Sequence, residues 1–300
     1  MAPYYAMLIR ATRPSNYDTI YHMILNGEAV SNIINIKFIL FLSLFICNIA
    51  LANKDDLTRL QKAYPEYIYS VSEHSITWSD GTEMSAEDGQ PDKNEQEKLD
   101  NPSLLNQIEH IFYVSGQPLD TNNYKPSDDP GRIRYEPFFR KIYGDSKEEV
   151  KTKLVTIYWM PAYFGNRYPL LVTTVNQVDQ KLTSISSELE ALVDQHPDYL
   201  HFLDNPGGTF NWRFIANTNR LSNHSFGMTI DINAEFSDYW QWDLQKAGLP
   251  ITEDAPLIYR NSIPWKIVPI FEKYGFIWGG KWRHYDSMHF EYRPELMVAN

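Results

Sequence analysis

Near the C-terminal end of the chain, carboxylates and imidazoles recur at a spacing that would let them share a cation. In Met228-Thr-Ile-Asp-Ile-Asn233 the apolar residues 228, 230 and 232 alternate with Thr229, Asp231 and Asn233. A period of two predicts a strand, with Asp231 on the polar face and pointing away from the core. Ser287-Met-His-Phe-Glu-Tyr292 repeats the pattern: Met288, Phe290 and Tyr292 share the apolar face, His289 and Glu291 the other. Side by side in one sheet, the two strands bring Asp231 and His289 to a single ion. His224 offers a third donor, because a turn at Gly227 folds its imidazole back toward Asp231. The seven-residue spacing alone says little, since eight histidines and 38 acids among 300 residues produce it by chance. Its context gives it weight.

That context is a resemblance. Ser222-Asn-His-Ser-Phe-Gly-Met-Thr-Ile-Asp231, then Trp278-Gly-Gly-Lys-Trp282 and Asp286-Ser-Met-His-Phe-Glu291, resembles the paired signature of the zinc D-alanyl-D-alanine carboxypeptidase and L-alanyl-D-glutamate endopeptidase family, which includes VanY- and VanX-type dipeptidases and phage endolysins. The likeness covers about Gly207 to Leu296, extends more weakly back to about Leu154, and is absent from 53–150. It implies that His224, Asp231 and His289 bind Zn²⁺ and that Asp286 is the catalytic carboxylate. Two imidazoles and one carboxylate leave zinc an open position for water, as catalytic rather than structural sites do. A carboxylate beside that water can take its proton and pass it to the departing amine. Asp286 stands where the dipeptidase branch has Glu, as in the endopeptidase-like branch, so the cleaved bond is left open between D-Ala-D-Ala and L-Ala-D-Glu. The family also places an arginine before the Ser-x-His motif, which points to Arg213 as partner of the scissile carbonyl or a substrate carboxylate, with Arg220 as its rival.

The elements that must position these residues follow from periodicity. Leu154–Trp159 and Tyr168–Thr174 have strand composition. Val175, Val178, Leu182, Ile185, Leu189 and Leu192 form the stripe of an amphipathic helix ended by His196-Pro197. Ser262-Ile-Pro264 starts a helix running to Tyr274 and stopping at Gly275, with Pro269 bending it. Gly279-Gly280 lacks the spacing of a phosphate loop and reads as a tight turn between helix and strand. The fold class expected is α+β, helices packed on a small antiparallel sheet that carries the metal. Most of the six tryptophans after residue 210 are expected in the core, and His284 at the surface or behind the ligands. Glu291 either orients an imidazole or makes a structural ion pair.

Residues 53–150 form a less patterned region of unassigned role. Leu57–Tyr64 suits a short helix, Trp78-Ser-Asp-Gly-Thr82 a hairpin turn, and the acid-rich stretch from Asp80 to Asp100 a solvated loop without the ligand spacing of a calcium-binding EF-hand. Residues 151–300 form the expected peptidase domain.

A balance of 27 basic and 38 acidic residues, net −11, argues against nucleic-acid binding. Within 1–52, Lys37 precedes the apolar run Phe38–Ile49, and Ala50-Leu-Ala52 ends it. This pattern predicts a signal peptide, and its length sets it against an uncleaved anchor. Ile46 disfavours lipid attachment at Cys47. The long stretch ahead of the run admits Met23 as the start. Cleavage would remove the only cysteine, so any metal must be held by His and carboxylate. The resemblance, taken together with the expected export, implies an exported, periplasmic or extracellular zinc metallopeptidase acting on peptidoglycan stem peptides. The alternative is a non-catalytic zinc module that binds cell-wall peptide or a protein partner, as the related-looking hedgehog signalling domain does.

Overall fold

A computed structural model describes residues 54–108, 113–118, 129–216 and 218–297; the signal peptide expected at 1–52 lies outside the described residues. Helix α1 (54–63) buries Leu57 and Leu60 and leads through Tyr64 into an antiparallel sheet of β1 (Ile68–Val71), β2 (Ser75–Trp78) and β3 (Glu83–Ser85). The β2–β3 turn falls at the expected Asp-Gly pair: Gly81 takes φ 83°, and Asp80 accepts a hydrogen bond from Thr82 N. The acid-rich stretch is more ordered than its composition suggested. Asn94 and Glu97 form a capping box for α2 (Glu95–Asp100), satisfying donors that would otherwise be orphaned. Helix α3 (Leu104–Ile108) follows. Helix α4 (Glu136–Tyr143) buries Phe138, Phe139, Ile142 and Tyr143, and Ser146 caps α5 (Lys147–Thr152).

Strands β4 (Leu154–Tyr158) and β5 (Pro169–Thr173) pair as an antiparallel ribbon. The apolar stripe after it becomes α6 (Val178–Gln195), with Val178, Leu182, Ile185 and Leu189 all buried. The sheet that carries the chemistry has the order β6-β7-β9-β8, built from Pro206–Gly208, Thr229–Asn233, His289–Tyr292 and Phe276–Trp278. Between β7 and β8 run α7 (Trp240–Lys246) and α8 (Val268–Glu272). Phe271 of α8 stacks on Phe290 of β9 at 3.8 Å, fixing the helix to the sheet. Pro269 stands where the 3₁₀ turn Trp265–Ile267 gives way to α8. It occupies the first turn, where an amide hydrogen would have no partner anyway. Gly279-Gly280 follows a strand rather than a helix, in the short turn Gly279–Lys281 after β8.

The architecture is α+β, with helices packed against small antiparallel sheets. Asn53–Asn300 cluster as one compact unit, and the core runs without a break from Leu57 to Leu296. Among the described residues, no helix is long and apolar enough to cross a membrane. One glycine ties the chemical sheet to the β4–β5 ribbon. Gly227 has φ 66°, and its carbonyl accepts from Thr173 N at 3.0 Å. A Cβ there would sit 2.7 Å from Leu154 Cδ2. Gly227→Ala should therefore lower unfolding stability by about 2 kcal/mol or more, through backbone strain and overpacking together. Urea denaturation reads this, and an unchanged midpoint with unchanged slope would show that the turn is not fixed there.

Candidate metal centre

Antiparallel pairing of β7 with β9 sets Asp231 directly opposite His289, so their side chains share a face. His289 Nδ1 lies 3.0 Å from Asp231 Oδ1. His224 arrives from the helical turn Asn223–Phe226, which ends at the left-handed Gly227, and its Nε2 lies 3.2 Å from Asp231 Oδ2. One donor atom from each of the three residues falls within 4.8 Å of the others. Gly207 permits the approach of β6, since a Cβ there would lie 3.0 Å from Asp231 Cβ.

The donor atoms fit a cation. His224 Nδ1 is 2.9 Å from the Thr209 carbonyl, which can only accept, so Nδ1 carries the hydrogen and Nε2 is the atom left free to ligate. That Nε2 is buried and has no hydrogen-bond partner despite the nearby carboxylate, as expected of a lone pair aimed at an ion. His289 Nε2–H donates to Glu291 Oε2 at 3.1 Å, leaving Nδ1 toward Asp231. Two imidazole nitrogens and a carboxylate suit zinc among the common divalent ions.

Electrostatics point the same way. Burial would push the His289 imidazole down, but Asp231 and Glu291 outweigh it and raise it to about 10. Burial opposes ionisation of Asp231, yet His224 and His289 hold its carboxyl far below the usual carboxylate range. The pocket thus attracts positive charge, as a proton or as a metal. Glu291 is fully buried and remains ionised: burial is overcome first by Arg134, then by the imidazole of His289 and by Arg293. Its Oε2 receives Arg134 NH2 at 2.6 Å, and its Oε1 receives Asn223 Nδ2 at 2.6 Å and Arg293 NH1 at 2.9 Å. Both readings of Glu291 hold at once, because it orients an imidazole and anchors ion pairs.

Asp286 sits where β9 begins: its carbonyl accepts from His289 N, and its backbone bridges Tyr239. Burial raises its carboxyl to about 6, with Asp231 adding to the effect and His289 opposing it, and its Oδ1 is buried without a hydrogen-bond partner. Arg213 is exposed and makes no side-chain contact with the three donors, but its charge is felt at Tyr239 beside Asp286. Arg220 lies elsewhere, 3.7 Å from Asp100. His284 is not at the surface. It is 3% exposed and held between Asp129 and the Glu253 carbonyl.

Arg134, Asn223 and Thr209 serve the centre without having been singled out in the sequence. Asn223 carried a local signal, its place between Ser222 and His224; Arg134 lies 157 residues from Glu291 and carried none.

Residues 216–292 match the family described as D-alanyl-D-alanine carboxypeptidase. The matched segment contains His224, Asp231, Asp286 and His289, and excludes Arg213 and Arg134. Neither a curated protein nor a solved structure matches the chain. Replacing Glu291 with Gln should weaken divalent-cation affinity about 10- to 100-fold, because the imidazole loses its charged orienting partner. Competition with a chromogenic chelator measures this, and an unchanged affinity would assign Glu291 to the ion pairs alone.

Proposed function

We propose, on the premise that residues 216–292 are those of the D-alanyl-D-alanine carboxypeptidase family of metallopeptidases, that this chain is an exported zinc peptidase hydrolysing peptidoglycan stem peptides. The observation that carries the reading is the convergence of His224, Asp231 and His289 within 4.8 Å, with the half-buried Asp286 acting electrostatically on the same groups and keeping one carboxyl oxygen, Oδ1, buried without a hydrogen-bond partner. His224, Asp231 and His289 would hold a divalent zinc ion, which when bound would supply Lewis-acid activation of water and of the scissile carbonyl. His224 is fixed by the Thr209 carbonyl and His289 by Glu291, so neither imidazole has to reorganise during turnover. Asp286 accepts the proton of the attacking water and delivers it to the departing amine.

The elevated Asp286 carboxyl matches that task, since a base is most effective when its pKa approaches the working pH. Arg213 is assigned to the carbonyl oxygen or a substrate carboxylate. Arg213 leads because it precedes the Ser222-Asn-His224 motif in the way the resemblance implies, with Arg220 as its rival. Export rests on the apolar run and Ala50-Leu-Ala52. Both D-Ala-D-Ala and L-Ala-D-Glu remain within this reading.

Incubation with peptidoglycan and mass spectrometry of the released fragments tests the substrate class and identifies the bond. Bound peptide without release would mark a non-catalytic module. A chelator should abolish release and added zinc restore it. Asp286→Ala should keep the cation and lose about 10²- to 10⁴-fold in kcat; an unaltered kcat would remove Asp286 from the mechanism. The base works only when ionised, so kcat/KM should climb as pH rises and level off above a midpoint at or below about 6, bound positive charge pulling it lower. A kcat/KM that falls as pH rises from 4 to 7 would contradict that role.

A further inference from the structure

Asp286 faces Tyr239 across a short antiparallel bridge. Trp240 N donates to the Tyr285 carbonyl at 3.0 Å and Ser287 N to the Asp238 carbonyl at 2.9 Å, so Tyr239 and Asp286 are a directly opposed pair without a backbone hydrogen bond between them. Such pairs bring their Cα atoms to about 4.5 Å, the closer of the two antiparallel spacings, with both side chains on one face. A further bond from Asp238 N to the buried Ser287 Oγ at 2.7 Å fixes the bridge. Tyr239 is extended there, with φ −133° and ψ 126°, immediately ahead of α7. Its ring is braced edge-on by Trp242 at 5.4 Å and Trp240 at 6.3 Å.

The hydroxyl of this half-buried tyrosine makes no hydrogen bond among the described residues. The contrast with Tyr64, Tyr113 and Tyr285 is plain, since each of those donates to a carboxylate within the fold. Burial, and after it the charge of Asp286, pushes the phenol up, against Arg132 and Arg213. A protonated donor with nothing to hold thus stands on the same face as the candidate base.

We propose that Tyr239 is a catalytic residue whose hydroxyl donates a hydrogen bond to the oxyanion formed from the scissile carbonyl. The inference rests on the peptidase reading and deepens it. As the water oxygen bonds to the carbonyl carbon, the π pair of the C=O bond moves onto its oxygen and Asp286 takes the water proton. Tyr239 keeps its own proton and meets the new charge with a hydrogen bond. Collapse returns the pair to C=O, breaks the C–N bond and passes the proton from Asp286 to the departing amine. A hydroxyl that need not leave another partner is preorganised for charge that appears only in the transition state. Arg213 keeps its role at that oxygen or at a substrate carboxylate, and the hydroxyl is a separate donor in either case.

The test pairs turnover with calorimetry on the zinc-loaded full chain. The probes are the pentapeptide L-Ala-γ-D-Glu-L-Lys-D-Ala-D-Ala and two phosphinate analogues of it, with PO₂⁻–CH₂ in place of CO–NH at the L-Ala-D-Glu or at the D-Ala-D-Ala bond. Their phosphinate oxygens stand where the oxyanion forms. Tyr239→Phe should lower kcat for the pentapeptide on the order of 10²-fold with KM within about twofold, and weaken the tighter phosphinate to the same degree. Its urea midpoint should match the wild type, because the ring is kept and the hydroxyl holds nothing in the fold. A lowered kcat with phosphinate affinity intact would make Tyr239 a positioning residue for Asp286 and overturn the oxyanion role, as would an undiminished kcat. Should the wild type hydrolyse nothing, the peptidase reading falls and calorimetry still decides the hydroxyl: phosphinate binding weakened by Tyr239→Phe supports the donor, and equal or absent binding overturns it.

Discussion

The centre depends on one register. Asp231 and His289 are neighbours only because β7 and β9 pair antiparallel with those residues opposite each other, 58 positions apart in the chain. A slip of one residue would turn every side chain of one strand to the other face. Ile230 facing Phe290 opposes such a slip, since both are fully buried and would be driven onto the polar side. The apolar core therefore specifies the polar site: burying the isoleucine and the phenylalanine aligns the carboxylate and the imidazole.

Polar groups inside such a sheet must be compensated, and the way this is done shapes the surroundings. Taking a carboxylate out of water costs several kcal/mol unless charge and hydrogen bonds replace the lost hydration. Glu291 meets that condition with two arginines, an amide and an imidazole. Arg293 in turn reaches Glu295 at 2.6 Å and the Gly131 carbonyl at 3.0 Å, both buried. The network extends from the imidazole through the sheet to the segment around 129–134, so the orientation of a candidate ligand is supported by residues far from it in sequence.

Alternation along Met228–Asn233 and Ser287–Tyr292 was enough to place Asp231 and His289 on matching faces, and Gly227 signalled the turn that returns His224. What alternation leaves out is the cover. The polar face was expected to point away from the core, yet Thr229, His289 and Glu291 are buried, because residues outside both strands close over them. His284 shows the same gap: its neighbours Arg283 and Tyr285 suggest an exposed connection, and Asp129, 155 residues earlier, makes it an interior one. Pro269 was legible as a punctuation mark but not as a first-turn residue, since where the preceding turn gives way to regular helix depends on packing. Local pattern reports which side a residue faces, and only the fold reports what it meets there.

The clamp of Arg134 on Glu291 bears on how such a centre can be inherited. Excised at the edges of the recognisable signature, the strands would retain Glu291 and lose Arg134, leaving the anion with less of the charge that offsets its dehydration. The portable unit is therefore larger than the recognisable one. Recombination that grafts the signature onto a foreign N-terminal half would have to bring a cation to the same spot, or give up the carboxylate.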